Sequence, residues 1–154
     1  VFWSRVGRLV HHSGGNAGAA KLIDEVGHPA CPSWMRDREA ALLQPRIQTI
    51  AHLSDFDAHQ LAKTTHGIAR IGLGCAAPWG PLWCKLEIEA LSKMAGFNAQ
   101  DIANVAWAFT SVGFDVPKLF DALAAHAAPM LPEFRAQHLS VVAWAFASNR
   151  HSAP

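Results

Sequence analysis

A motif of 14 residues recurs three times in the sequence, and it constrains the fold more than any other feature. The copies occupy residues 56–69 (FDAHQLAKTTHGIA), 97–110 (FNAQDIANVAWAFT) and 134–147 (FRAQHLSVVAWAFA), so their starts are 41 and 37 residues apart. Recurrence at a period of roughly 20 to 50 residues is the signature of a stacked array of small structural units. The four additional residues of the first interval fall in residues 74–81 (GCAAPWGP), a turn-rich stretch in which an insertion is tolerated.

Each unit has the apolar spacing of two helices. In the second unit the first helix is indicated by apolar residues at one-face helical spacing, namely Ile102, Val105, Ala106, Phe109 and Val112. Gly72 and Gly113 each follow this pattern at the same register, where a glycine readily ends a helix in the left-handed conformation. Pro117 is then suited to the first position of a second helix, which Pro129 and Pro132 should end.

The second helices of the preceding units are predicted by the same pattern. One should run from about Leu82 to Met94, and the one before it should end near Leu53 and begin near Ala40, or at Pro45. Leu53, Met94 and Leu131 each lie three residues before a repeat phenylalanine, so the register extends across the unit.

The pattern therefore predicts an all-α fold, an α-solenoid of antiparallel helix pairs with repeats of about 37 residues, truncated at both ends. We expect the helical-repeat domain to span residues 40–154, with repeats starting near residues 56, 97 and 134. Residues 1–39 are expected to be an irregular or degenerate segment, because several glycines and prolines interrupt any long helix there.

Residues 1–23 have two possible interpretations. They contain Arg5, Arg8 and Lys21 but no acidic residue, a composition compatible with an organellar transit peptide. The alternative is the terminal helix of a truncated repeat array. The sequence contains no run of 18 or more apolar residues, so we expect no transmembrane helix and no membrane partner.

Charge and motif content give little indication of chemistry. The formal net charge is +1 and the isoelectric point is about 8.0, which is well short of a strongly basic protein. Three dispersed cysteines and nine dispersed histidines suggest neither a disulfide framework nor a metal site. Because no catalytic motif is present, we expect a protein that is not an enzyme and needs no cofactor or metal.

One polar stripe of the first helix is a candidate binding surface. In an array, residues at the same register of successive units form parallel rows, and short polar and basic side chains in such rows can contact successive nucleotides. The candidate RNA-binding residues are His59, Lys63 and Arg70 in the first unit, Gln100, Asn104 and Ser111 in the second, and Gln137 and Ser148 in the third. An ordinary solvated face without a ligand explains the same pattern.

Trp107 and Trp144 occupy one register of the motif, and His66 occupies it in the first unit. A tryptophan can stack on an unpaired base. Small neighbours such as Ala103 and Thr110 favour instead the packing of Trp107 between adjacent repeats.

Residues 100–109 (QDIANVAWAF) and 137–146 (QHLSVVAWAF) resemble a known group of repeats. They are similar to the octotricopeptide-like and heptatricopeptide-like repeats, to the leucine-rich region of FAST-kinase-domain proteins, and to a domain of the mitochondrial RNA-editing substrate-binding complex. The third unit departs from the pattern at Ser140 and Val141, and the first departs at Thr64, Thr65, His66 and Ile68. No RAP domain, which often follows such repeats, is present in the sequence.

The resemblance implies a helical-repeat protein of organellar RNA metabolism, which binds transcripts or ribosomal RNA for processing, stability, editing or translation. Its implied partners are single-stranded organellar RNA or ribosomal RNA and other ribonucleoprotein subunits, and its implied location is the mitochondrion or, alternatively, the chloroplast. The competing hypothesis is a protein-interaction scaffold without RNA contact. A positive stripe in which Arg46 and Lys93 extend the row of Lys63 and Arg70 would favour RNA, and acidic residues interrupting it would favour the scaffold.

Overall fold

The computed structural model describes residues 33–74 and 78–149, with side chains from residue 42 onward. Within these two ranges six α-helices follow one another, namely α1 (Ser33–His52), α2 (Ala58–Arg70), α3 (Gly80–Ser92), α4 (Ala99–Ser111), α5 (Pro117–Ala127) and α6 (Ala136–Ser148). These stretches contain no β-strand, which confirms the all-α prediction for the described part of the chain. Among the same residues, no helix combines the length and the apolar character needed to cross a membrane. The predictions for residues 1–32, including the transit peptide, lie outside the described residues.

The motif helices α2, α4 and α6 share one mode of entry. Each is preceded by a 3₁₀ segment, namely Leu53–Asp55, Met94–Gly96 and Ala128–Glu133. The backbone N–H groups of Phe56, Phe97 and Phe134 donate to the carbonyls of Leu53, Met94 and Leu131 at 3.3, 3.0 and 3.2 Å. Each phenylalanine is extended, and a helix of 13 residues begins two residues later. The apolar register seen in the sequence therefore corresponds to a repeated local structure.

Capping residues explain why α2 and α4 begin where they do. Asp57 accepts the N–H of Gln60 and Asn98 accepts that of Asp101, and in both cases the side chain of the later residue accepts a backbone N–H in return. Such a capping box satisfies donors that have no partner inside the helix. Arg135, at the same register before α6, makes no side-chain cap.

The turns after the motif helices agree with the sequence prediction. Gly72 and Gly113 have φ angles of 76° and 67°, in the region that disfavours residues with a Cβ atom, so their predicted role in ending α2 and α4 is confirmed. Pro117 is the first residue of α5, as predicted. The α-helical part ends at Ala127, and Pro129 and Pro132 lie in the 3₁₀ segment that follows.

Helix α1 differs from its prediction. It begins at Ser33 rather than near Ala40, inside the segment predicted to be irregular, and it contains Pro45 in its interior rather than at its first position. Residues 33–44 contain neither glycine nor proline, so helix propensity continues back to Ser33. One turn after Pro45, the hydroxyl of Thr49 donates to the Pro45 carbonyl at 2.7 Å. A proline is tolerated here although it removes one backbone donor.

The helices pack in two sets of neighbours. Helix α4 contacts both α2 and α6, while α3 contacts both α1 and α5, and the consecutive pairs α2–α3 and α4–α5 are also in contact. The core between them consists of fully buried apolar side chains, the largest being Trp83, Phe109, Phe120, Leu53, Leu61 and Ile68. Trp83 and Phe109 meet edge to face with ring centroids 5.2 Å apart, which joins α3 to α4. Thr64 and Thr65, where the first unit departs from the motif, are buried in the same packing.

Candidate functional site

A cavity of about 340 Å³ lies where α2, α4 and α6 approach one another. Helix α4 contributes one continuous face at positions i, i+3, i+4 and i+7, and the neighbouring helices close the sides. The lining residues are His66 from α2, Gln100, Ala103, Asn104 and Trp107 from α4, and Gln137, His138 and Val141 from α6. Ala103 contributes only a methyl group, so its small size leaves room beside Trp107.

Contacts at the far end of α6 hold that helix against α4 and α5. The side-chain amide of Asn149 donates to the Thr110 hydroxyl at 2.5 Å and to the Ala145 carbonyl at 3.2 Å. Phe146 packs edge to face on Phe120, with ring centroids 5.1 Å apart. The wall that α6 forms is therefore fixed by packing and hydrogen bonds outside the cavity.

Three of the predicted RNA-binding residues meet in this cavity. Gln100, Asn104 and Gln137 all line it. Gln100 and Gln137 are exposed, and Asn104 is half-buried. Each carries an amide that can both donate and accept hydrogen bonds. The structure thus brings together residues from two registers of the predicted stripe.

His59 is engaged in the fold itself. Its Nδ1 lies 2.7 Å from Oδ1 of Asp101, a contact between α2 and α4. The Asp101 side chain is completely buried, whereas that of His59 is 45% exposed. The other Asp101 oxygen accepts the backbone N–H of Asn98 in the capping box. His59 therefore has a structural partner in Asp101, which its place on the polar stripe did not indicate.

The remaining predicted residues lie outside the cavity lining. Lys63, Ser111 and Ser148 are exposed, and Arg70 is half-buried at the last turn of α2. The hydroxyl of Ser111 donates to the Trp107 carbonyl at 2.7 Å, one turn earlier in α4. These four residues share the stripe with the cavity residues but do not meet them in one pocket.

His66 and Trp107 form an aromatic contact at one edge of the cavity. Their ring centroids are 4.8 Å apart with an interplanar angle of 52°. Burial, and to a smaller extent the nearby positive charge of Arg70, lowers the pKa of His66 from 6.5 to about 4. The imidazole is therefore neutral at physiological pH.

Trp107 packs between the motif helices and also lines the cavity. Its half-buried ring packs against the core cluster, as expected for a residue between neighbouring motif helices, and it also lines the cavity. Trp144, its counterpart on α6, remains 47% exposed and does not line the cavity. The shared register therefore leads to two different environments.

Arg46 and Lys93 do not extend the row of Lys63 and Arg70. The Arg46 guanidinium donates to the Pro78 carbonyl and lies 5.6 Å from the centroid of the Trp79 ring. The Lys93 ammonium pairs with Glu89 at 2.5 Å and also contacts the Ser54 carbonyl. Lys93 and Lys85, through their hydrogen bonds, hold the pKa of Glu89 below its ordinary value. The electrostatic condition set by the sequence analysis for favouring RNA is therefore not met by these two residues.

Two lining residues were missed by the sequence analysis as site residues. His138 follows Gln137 directly, and Val141 occupies on α6 the register that Asn104 occupies on α4. Nδ1 of His138 is shielded from solvent and has no hydrogen-bond partner among the described residues. Val141 is apolar and His138 lies at the register of the buried Asp101, so the polar pattern of the stripe indicated neither residue as a contact.

The described residues contain no group of three or more His, Cys, Asp or Glu side chains arranged to hold a metal ion. Cys84 is a free, exposed thiol, and Cys31 and Cys75 lie outside the described residues.

Comparisons with protein-family models, with curated proteins and with solved structures gave no match to this chain. The functional interpretation therefore depends on the residues themselves and on the sequence resemblance.

Proposed function

We propose that this chain is an RNA-binding α-solenoid of about 37-residue helix pairs, acting in organellar RNA metabolism. In this proposal α2, α4 and α6 form the row of first helices and present one face to single-stranded RNA. The organelle is the mitochondrion or, alternatively, the chloroplast. The proposed role is binding of a transcript or ribosomal RNA during processing, editing, stabilisation or translation, without catalysis.

The cavity is the observation that carries the proposal. Gln100, Asn104 and Gln137 were selected from the sequence as nucleotide contacts, and they line one cavity together with the aromatic ring of Trp107. Amide and aromatic side chains side by side are what single-stranded RNA recognition uses, because unpaired bases offer hydrogen-bonding edges and flat faces. The repeated entry turns of α2, α4 and α6 support the array on which such rows depend.

Electrostatics make a smaller contribution in this proposal than in strongly basic RNA-binding proteins. The net charge is only +1, and Arg46 and Lys93 have partners inside the fold. Of the basic residues predicted on the face, Lys63 is exposed and Arg70 is half-buried. We therefore expect a shallow dependence of affinity on salt, set by about two phosphate contacts.

One observation favours a scaffold as the second candidate function. Leu139 and Trp144 of α6 are 42% and 47% exposed, and large exposed apolar side chains are common at protein interfaces. A scaffold would use this surface of α6 and would need neither the amides of the cavity nor Lys63.

Fluorescence anisotropy of the 154-residue chain with labelled single-stranded RNA, titrated at several salt concentrations, tests the proposal. We expect tighter binding to RNA than to duplex DNA of equal length. Lys63→Glu should weaken binding and reduce the slope of log K against log salt by about 0.7, the value for one contact on a single strand. Adding Arg70→Glu should bring the reduction to about 1.4.

Lys118→Glu is the matched control, because Lys118 is exposed on α5 and its reversal changes the net charge by the same amount. It should leave the salt slope unchanged. Equal effects of the two reversals would indicate nonspecific attraction to the whole molecule. No preference for RNA at low salt would contradict the proposal and favour the scaffold.

A further inference from the structure

The chemistry of the cavity lining restricts what can bind there. It presents three side-chain amides, two imidazoles, one indole and two small apolar groups, and it contains no carboxylate, ammonium or guanidinium. A phosphate or another anion would find no cation to pair with, and a metal ion would find no carboxylate. The lining instead suits a neutral group with both donors and acceptors, since each amide offers both.

The aromatic edge of the cavity adds a preference for a flat ligand. Trp107 is half-buried, and His66 packs on it at 4.8 Å, which restricts the orientation of the indole. The low pKa of His66 keeps its ring uncharged, so it neither attracts an anion nor repels an electron-poor ring. A planar heteroaromatic group can pack against this edge while its polar atoms face the amides.

The volume of the cavity matches one such group. At about 340 Å³ it lies at the lower end of the roughly 300–1,000 Å³ range of small-molecule sites. It is therefore suited to one nucleoside-sized group rather than to a stretch of polynucleotide.

We propose that the cavity between α2, α4 and α6 binds a single unpaired nucleobase, which stacks on Trp107 and forms hydrogen bonds with Gln100, Asn104 and Gln137. This inference rests on the proposed function and makes it more specific. RNA is then held mainly through base contacts at the cavity, and the phosphate contacts of Lys63 and Arg70 are secondary. A phosphate-only mode of binding would leave the cavity unused.

The test compares a single-stranded RNA of mixed sequence with an abasic ribose-phosphate chain of equal length. Trp107→Leu removes the stacking surface and should weaken binding of the RNA by about 5- to 150-fold, the range measured for the loss of one base stack. The wild-type chain should bind the abasic oligonucleotide more weakly than the RNA, and Trp107→Leu should not weaken that binding further.

Matched variants separate the site from general effects on the chain. Trp144→Leu removes the exposed tryptophan at the same register, outside the cavity, and should leave the affinity unchanged. Gln100→Ala alters an exposed lining residue without disturbing the core, and we expect a loss of about 2- to 10-fold. Gln48→Ala, an exposed glutamine on α1, should cause no loss. If Trp107→Leu fails to fold, the RNA affinities of Gln100→Ala and Gln48→Ala are compared instead, and equal affinities would contradict the base site.

A direct titration distinguishes failure of this inference from failure of the proposed function. In the chain labelled with 5-fluorotryptophan, the fluorine signal of Trp107 is assigned by its absence in Trp107→Phe, and adenosine and cytidine are added as probes. A shift of that signal without any RNA binding would support the base site while removing the RNA-binding function. RNA binding that is insensitive to base removal and to the Trp107 and Gln100 variants would overturn the base site and leave the function. No shift and no RNA binding would overturn both.

Discussion

The contact between His59 and Asp101 gives a quantitative prediction about the packing of α2 on α4. His59 Nδ1 and Asp101 Oδ1 are 2.7 Å apart, and the two residues are 42 positions apart in the sequence. His59→Ala removes one partner and leaves the buried Asp101 carboxyl with the Asn98 N–H at 3.3 Å. Asp101→Ala removes the same contact and also one half of the capping box.

The magnitude follows from burial. Leaving a buried polar group without its partner costs about 1–3 kcal/mol, and here the Asn98 contact remains, so His59→Ala should lower the free energy of unfolding by about 1–2 kcal/mol. Loss of half a capping box adds about 0.5–1 kcal/mol, so Asp101→Ala should cost about 2–3 kcal/mol. The double variant should cost about 1 kcal/mol less than the sum of the single variants, because both remove one shared contact.

Urea denaturation followed by circular dichroism at 222 nm gives these free energies, and each 1 kcal/mol should correspond to about 2–4 °C in Tm for a chain of this size. Additive effects of the two substitutions would refute an energetic contact between the side chains. RNA affinity should be unchanged in His59→Ala under conditions where it is folded. A loss of affinity without a loss of stability would make His59 an RNA contact, as its sequence row predicted.

Three further predictions concern stability. His66 is protonated near pH 6.5 in the unfolded chain and only near pH 4 in the folded chain, so the free energy of unfolding should fall as the pH decreases through this interval. In urea denaturation, the loss of stability between pH 7 and pH 5 should be smaller for His66→Gln than for the unsubstituted chain. Gly113 has a φ of +67° and open space at its Cβ position, so in denaturant titrations Gly113→Ala should lower the free energy of unfolding by about 1–2 kcal/mol and Gly113→Asn by less. Equal losses for the two variants would contradict backbone strain as the cause. Phe109 is fully buried, so Phe109→Ala should lower the free energy of unfolding by about 3–5 kcal/mol, and a cost below 1 kcal/mol would contradict its place in the core.

Local features of the fold were predictable because single residues determine them. Gly72 and Gly113 occupy the positive-φ positions, and Pro117 begins α5, as their backbone preferences indicated. The start of α1 was not predictable from the same rules. Pro45 was predicted as one possible start of this helix, but α1 begins 12 residues earlier, at Ser33, because a boundary rule based on one proline ignores the helix propensity of the glycine- and proline-free residues 33–44.

The candidate site was predictable only in part, since equal register identifies residues but not their distances. Gln100, Asn104 and Gln137 were predicted from the stripe, whereas His138, at the register of the buried Asp101, was not. The engagement of Arg46 by Pro78 and Trp79 depends on a contact across 32 residues of sequence, which composition cannot indicate. The formal net charge therefore does not show which basic side chains are already engaged by the fold.

Photocrosslinking of single-stranded RNA containing 4-thiouridine, followed by tryptic digestion and mass spectrometry, tests the proposed RNA-binding face most directly. Helices α4 and α6 fall in separate tryptic peptides, residues 94–118 and 136–150, while α3 and α5 fall mainly in residues 71–85, 86–93 and 119–135. We predict crosslinks concentrated in the peptides of α4 and α6, with Trp107 among the modified residues. Crosslinks concentrated in the peptides of α3 and α5, or none above the level of duplex DNA, would contradict RNA binding by the face of α2, α4 and α6.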